Sequence, residues 1–154
     1  MKRYLLKIWR ILPFWMQRIA AVIIRPSFHV AVGGMIFNEQ GKLLLCCHTY
    51  RRLHPWGLPG GDLKFDEDPV DGIKREILEE TGLTIRNARL LLAENSAEIH
   101  QVALTYHCTD VSGTFTPNEE VSSIRYFEPD MLPVFFQEQR ATIEKCLLIL
   151  NSEK

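Results

Sequence analysis

Asp68-Pro69-Val70-Asp71-Gly72-Ile73-Lys74-Arg75-Glu76-Ile77-Leu78-Glu79-Glu80-Thr81-Gly82 is the stretch on which the reading of the chain turns. Asp68 is a suitable N-cap, Pro69 suits the first helical position, where no amide hydrogen is needed, and Gly82 is a stop signal, so a helix is predicted to open at Asp68 and end at Gly82. Val70, Ile73 and Ile77 recur at helical spacing and can face a core. Glu76, Glu79 and Glu80 stand at i, i+3 and i+4; at about 100° per residue they share one face, with Gly72 leaving room beside them. Like charges at these spacings cost a few tenths of a kcal/mol per pair, roughly, and anions in a last turn oppose the helix dipole. Stability alone would favour Lys or Arg there. Residues 62–80 hold eight acidic and three basic side chains, a net of −5. A solvated acidic face is the bland explanation; a better one is a hard divalent cation, and all-oxygen ligation selects Mg²⁺ or Mn²⁺ over zinc.

Outward from this helix, Phe28 to Phe37 is apolar and β-branched, Asn38-Glu39-Gln40-Gly41 supplies turn chemistry, and Lys42 to Thr49 is apolar again. The pattern predicts a hairpin. Pro55-Trp56-Gly57-Leu58-Pro59-Gly60-Gly61 is punctuated too densely for regular structure and predicts a shaped loop. Thr84–Leu92, His100–Thr109 and Ile124–Phe127 are predicted strands, and Gln137–Leu150 is a predicted helix with Ile143, Leu147 and Leu150 at helical spacing. Strands on either side of a central helix, with a closing helix, give an α+β layered domain.

The 154 residues suit one domain, and 46% hydrophobic with 24% charged residues excludes disorder, collagen-like repeats and a polytopic membrane protein. The net charge is −1, so no global basic field exists to drive nucleic-acid binding. Charge is instead distributed unevenly. Residues 1–25 carry Lys2, Arg3, Lys7, Arg10, Arg18 and Arg25 and no acid, which leaves the remainder at −7. The chain therefore divides into a basic amphipathic extension, 1–25, and a domain, 26–154. Within the extension the longest apolar run, Ile19–Ile24, is too short to span a bilayer, and Arg10 and Arg18 interrupt any secretory core. Trp9, Phe14 and Trp15 leave two roles: a helix broken near Pro13 that packs on the domain or on the twin subunit of a homodimer, or one that lies peripherally on an anionic membrane surface. Cys46, Cys47, Cys108 and Cys146 form no C-x-x-C pair, which fits a reduced cytoplasmic setting with the cysteines as small core residues. His29, His48, His100 and His107 are scattered on predicted strands as packing or edge residues.

Gly61, Glu67 and the run Arg75-Glu76-Ile77-Leu78-Glu79-Glu80-Thr81-Gly82-Leu83 together resemble the Nudix box at every fixed position, with apolar Ile77 and Leu83 where that box requires them. The lead-in Trp56-Gly57-Leu58-Pro59-Gly60-Gly61 and the strand order are also similar to the Nudix fold, an α/β/α sandwich with a mixed sheet, over residues 27–150. The resemblance implies a pyrophosphatase that cleaves a diphosphate linkage in a nucleoside diphosphate joined to another moiety, with Mg²⁺ as cofactor. It implies Glu79 and Glu80 as principal metal ligands, Glu76 as ligand or general base, the Gly60 carbonyl as a backbone ligand, Glu67 as a weaker or water-mediated partner, and Arg75 as holder of the carboxylates. Many family members add a glutamate beyond the box. Here Glu120 in Pro117-Asn118-Glu119-Glu120-Val121 is nominated, as catalytic residue and ligand, with Glu119, Glu98 and Glu94 as other candidates.

Specificity in this family lies outside the box. Glu98 stands where a proline is associated with ADP-ribose hydrolysis, Ile99, His100 and Gln101 offer no tyrosine of the dinucleoside-polyphosphate kind, and Trp56 replaces the phenylalanine of coenzyme A hydrolases. In Thr49-Tyr50-Arg51-Arg52-Leu53-His54-Pro55-Trp56, two arginines can grip phosphates while an aromatic ring stacks on a base, so Arg51, Arg52, His54 and Trp56 are candidate substrate contacts. The competing class is a non-catalytic nucleotide-binding or regulatory module on the same fold, but such modules commonly lose box carboxylates, and Glu67, Glu76, Glu79 and Glu80 are all present.

Overall fold

A computed structural model describes residues 9–24, 27–134 and 137–153, with 21–24, 137 and 138 described by backbone alone. After a helix α1 (Phe14–Ile24) the chain runs β1 (His29–Ile36), β2 (Leu43–His48), β3 (Trp56–Gly57), β4 (Gly60–Asp62), α2 (Pro69–Thr81), β5 (Leu83–Ser96), β6 (Gln101–Gly113), β7 (Val121–Phe127) and α3 (Gln137–Ser152). The strands form two sheets, ordered β4-β1-β6-β5 and β3-β2-β7. β1 and β6 are parallel and every other pair is antiparallel. The expected α+β layering is what the chain adopts.

Period-two alternation builds a core on each side of the strands. Val32 and Ile36 of β1, Leu44 and Cys46 of β2 and Tyr106 and Cys108 of β6 pack with Ile73 and Ile77 of α2. Met35, Leu43 and Leu45 pack on the other side with Ile143 and Cys146 of α3. Each fully buried Leu is worth about 1.5–3 kcal/mol of transfer free energy, so β2, with Leu43, Leu44 and Leu45 all inaccessible, anchors both layers. All four cysteines are free, and burial pushes the Cys108 thiol up to about 12 and Cys146 to about 11, which leaves them inert packing residues.

Two expectations are corrected. The turn at 38–41 forms, with Asn38 Oδ1 accepting Gln40 N–H at 3.0 Å and Lys42 N–H at 2.9 Å, but no hairpin ladder follows it. Beyond the single bridge Phe37–Leu43 the strands part into different sheets, because β4 and β6 occupy the two edges of β1 and the doubly apolar β2 must be covered on both faces. Residues 55–61, expected to be irregular, contain β3 and the start of β4, and the chain crosses between the sheets at Leu58-Pro59. The predicted strands beyond α2 also run longer: β5 spans Leu83–Ser96, with a bulge between Leu90 and Leu92.

At the N-terminal end Trp9–Ile11 is helical, Leu12 bends, and α1 resumes after Pro13, so the break falls where proline chemistry places it. Gln17 Nε2 donates to the Trp9 and Leu12 carbonyls at 3.0 and 2.9 Å and fastens the two pieces. Lys2, Arg3, Lys7 and Arg25 of the expected extension lie outside the described residues. Among the described residues no helix is long and apolar enough to cross a membrane.

Candidate active site

Both ends of α2 are chemically closed. Asp68 Oδ1 accepts Val70 N–H at 2.9 Å, and Gly82, at φ 72°, returns its N–H to the Leu78 carbonyl at 2.9 Å. The other last-turn carbonyls are taken by the β6–β7 connection: Asn118 Nδ2 donates to Glu79 O at 2.8 Å and Glu80 O at 3.1 Å, and Thr116 N–H to Thr81 O at 3.3 Å. A terminus that would otherwise leave four acceptors open is thereby tied to the segment that carries Glu120.

Arg75 is the hub of the acidic face. Its Nε donates to Glu67 Oε1 at 2.7 Å and Nη2 to Glu67 Oε2 at 2.9 Å, while Nη1 reaches Glu76 Oε1 at 2.6 Å and Glu79 Oε2 at 2.9 Å. Nη2 also reaches the Asp62 carbonyl at 3.2 Å, which binds the hub to β4. The bidentate Arg75 contact holds the Glu67 carboxyl down at about 2. At Glu79 partial burial pushes the carboxyl up, but the Arg75 hydrogen bond and charge outweigh it and hold it below the ordinary value. Gly61 leaves room for the Glu76 carboxylate, from which a Cβ there would stand 2.7 Å. The room beside Gly72 is filled by Leu63, with Glu67 close by.

Glu80 is set apart from this cluster. Only 2% of the residue is exposed; Oε2 accepts the Gly60 N–H at 2.8 Å and Oε1 lies 3.5 Å from Nδ1 of His48. Gly60 takes φ +148°, and a side chain there would collide with the Val32 carbonyl, so only glycine brings this N–H to the carboxylate. Burial pushes the Glu80 carboxyl up to about 7, with the charges of Glu76 and Glu120 adding to the rise. His48 is equally buried and is pushed down to about 4 by desolvation and then by the Arg51 charge, against a backbone hydrogen bond with Leu58 that raises it. The buried carboxyl thus faces a neutral imidazole, with the Arg51 charge offsetting its rise only in part. Among the described residues no three His, Cys, Asp or Glu side chains form a ready-made cation cage, since the Arg75 guanidinium stands between the carboxylates.

Glu120 is exposed, its N–H bound to Asn118 Oδ1 at 2.9 Å and its carbonyl accepting Thr49 N–H at 2.9 Å, and its charge bears on Glu80. Of the other nominees, Glu94 is tied to Lys145 and Thr142 of α3 at 2.5 and 2.6 Å, and Glu98 is exposed in the β5–β6 turn. Glu119 neighbours the site and gives its carbonyl to Thr49 Oγ1 at 2.6 Å. Arg51 lies over the exposed Tyr50 ring at 5.6 Å, and the space that Gly57 leaves vacant is shared by its Nη1, Gln139 Oε1 and His48 Nε2. Arg52 is exposed and His54 half-buried. Trp56 packs in the α3-side core, edge-on to Phe127 at 5.1 Å with Arg125 over its ring at 5.4 Å, away from the acidic face. Two residues escaped sequence reasoning. Asn118 lies in the segment quoted for Glu120 but was assigned no role, and His48 was grouped with strand packing although it continues the alternation Leu44, Cys46, His48 toward α2.

The NUDIX domain family model matches residues 27–146, which takes in the helix, its caps and both sheets. The chain belongs to the Nudix family. A MutT-like protein of Streptomyces ambofaciens is 33% identical over 107 residues, covering 68% of this chain and 67% of that protein. An RNA pyrophosphohydrolase of Bartonella henselae is 38% identical over 60 residues, a match that spans only 34% of this chain and 35% of that protein. The crystal structure of a MutT Nudix hydrolase from Burkholderia pseudomallei superposes with a TM-score of 0.68 at 28% identity, covering 77% of this chain and 98% of that one. This Nudix protein is accordingly a hydrolase of diphosphate bonds.

Proposed function

We propose that this Nudix hydrolase cleaves, with Mg²⁺ or Mn²⁺, a diphosphate linkage in a nucleoside diphosphate joined to a further group, by attack of water on phosphorus. Glu80 carries the reading. It is a carboxyl almost wholly buried beside the Gly60 backbone, met by one amide N–H and by the neutral His48 imidazole, and it suits a hard cation held by oxygen donors. Glu79, Glu80 and Glu76 would hold that ion with the Gly60 carbonyl, with Glu67 and Glu120 as outer or additional ligands. Once bound, the ion supplies positive charge against the diphosphate oxygens and lowers the pKa of water. Arg75 fixes the rotamers of Glu67, Glu76 and Glu79 before substrate arrives, and Glu76 or Glu120 takes the proton from the attacking water. Arg51, with the Tyr50 ring beneath it, would grip a phosphate while the ring meets a base.

The test is hydrolysis of nucleoside triphosphates, nucleotide sugars, ADP-ribose, dinucleoside polyphosphates and prenyl diphosphates, with and without Mg²⁺, followed by chromatography of the nucleoside monophosphate and other monophosphate or diphosphate products. Turnover should depend on the metal and vanish in Glu79→Gln while circular dichroism stays native. Full activity of that variant, or no metal-dependent turnover of any nucleoside diphosphate derivative, overturns the reading. The diphosphate-bearing end of an RNA is a second reading, favoured by the local identity to an RNA pyrophosphohydrolase. The −7 charge of residues 26–154 opposes it, so a short 5′-triphosphate RNA belongs in the panel.

A further inference from the structure

We infer that α1 is an interfacial helix that seats this hydrolase on an anionic lipid surface. From Trp9 to Ala20 none of the described side chains is buried. Within nine residues Ile11, Phe14, Trp15, Met16 and Ile19 are exposed, at 82, 74, 63, 38 and 53%. Scattered apolar residues on a surface mean little, whereas a contiguous group of this kind marks a surface that is covered in use. Trp15 and Ile19 are one turn apart and Met16 lies three residues before Ile19, so the three share a face. Arg10 and Arg18 are exposed beside them, and the first 25 residues hold six basic side chains and no acid. The family match begins at residue 27, so this helix lies outside the matched domain.

Charge decides between the candidate occupants. A two-fold contact between the helices of two copies would set two basic segments together, like charge near like, with no acidic residue in either segment to relieve it. An anionic headgroup layer satisfies both features together: Trp and Phe settle at the boundary between headgroup and acyl chain, and the arginines extend to the phosphates. With 11 residues, α1 lies on such a surface rather than crossing it.

The experiment is co-sedimentation of the full chain with vesicles of phosphatidylcholine alone and of three parts phosphatidylcholine to one part phosphatidylglycerol, at low salt and at about 0.5 M salt, where the Debye length shrinks toward a few ångströms. Binding is expected on the anionic vesicles and should fall steeply with salt. Arg10→Glu with Arg18→Glu should weaken partitioning about 25-fold or more, from roughly fivefold per basic residue. Trp15→Ser with Ile19→Ser should also release the protein, with diphosphate hydrolysis in solution unchanged, which reports an intact fold. Equal or salt-insensitive binding to the neutral vesicles, binding to neither, or a dimer in solution that the Trp15→Ser/Ile19→Ser pair dissolves would each overturn the inference. The comparison of the unaltered chain on two lipid compositions holds whatever the variants do.

Discussion

Asn118→Ala probes whether the β6–β7 connection merely borders the site or sets it. The side chain makes four hydrogen bonds: Nδ2 to the Glu79 and Glu80 carbonyls at 2.8 and 3.1 Å, and Oδ1 from the Glu120 and Val121 N–H groups at 2.9 and 2.7 Å. At about 0.5–1.5 kcal/mol net each, four buried bonds would total roughly 2–6 kcal/mol. Asn118 is exposed, and water replaces most of what alanine removes, so the expected loss of stability is about 1–2 kcal/mol. The kinetic effect should be larger than this implies, because the same four bonds hold Glu120 and the last turn carrying Glu79 and Glu80 in one register. A displacement of about 1 Å among catalytic groups costs up to about 100-fold, and a fall in kcat/KM of about 10- to 100-fold is predicted. Asn118→Asp should be worse, since it swaps two donors for an anion at the negative end of α2, adding roughly 0.3–1 kcal/mol. Urea denaturation followed by fluorescence gives the stability, and steady-state rates on the best substrate of the panel, at a temperature where both proteins are fully folded, give the kinetics. Wild-type kcat/KM in a measurably destabilised Asn118→Ala would refute the reasoning, because the tether would then be structural only.

Gly61→Ala forces a methyl group to within 2.7 Å of the Glu76 carboxylate; that flexible side chain should yield, so thermal melting should move little while kcat falls more than about tenfold. Arg51 and Arg52 should separate in Michaelis kinetics: Arg51→Ala, which loses the cation over Tyr50 and beside Glu80, should raise KM severalfold, whereas Arg52→Ala, exposed, should leave it near wild type; equal effects would count against the inward Arg51. Lys145 and then Thr142 hold the Glu94 carboxyl below its ordinary value, so this contact stabilises the fold above the unfolded carboxylate pKa of about 4.3 and its contribution is lost as pH falls through the folded value. The stability gap between wild type and Glu94→Gln in urea titrations should be steady from about pH 7 to 5 and close on further acidification; a gap that widens in acid would contradict the assignment.

The box helix was legible because its signals are local. The Asp68 cap, Pro69, the αL glycine and the 3.6-residue period act within a few residues of themselves, and each matches the structure. The carboxylates were less fully legible. Sharing a helix face still leaves neighbouring side chains about 100° apart, enough to put the Glu79 side chain 53% in solvent and Glu80 almost out of it. Which of the two turned inward depended on where β2 and β4 lay, information carried by contacts 20 and more residues away. Asn118 illustrates the same limit: its turn is written in Pro117-Asn118, but its two helix acceptors lie 38 and 39 residues earlier.

The misread hairpin bears most directly on function. Had β1 and β2 stayed paired beyond Phe37 and Leu43, the single ladder would have left no reason for Trp56–Gly57 to join one sheet and Gly60–Asp62 the other. Because they part, the chain must cross at Leu58-Pro59, and it arrives at Gly60 in a conformation whose N–H leaves the ladder and meets Glu80. The same parting turns His48, at the far end of β2, toward that carboxylate. The gap between the sheets is thus what gathers Gly60, His48 and Glu80, three residues that no local pattern relates, and the apolar continuity of β2, buried on both faces, is the physical cause of that gap.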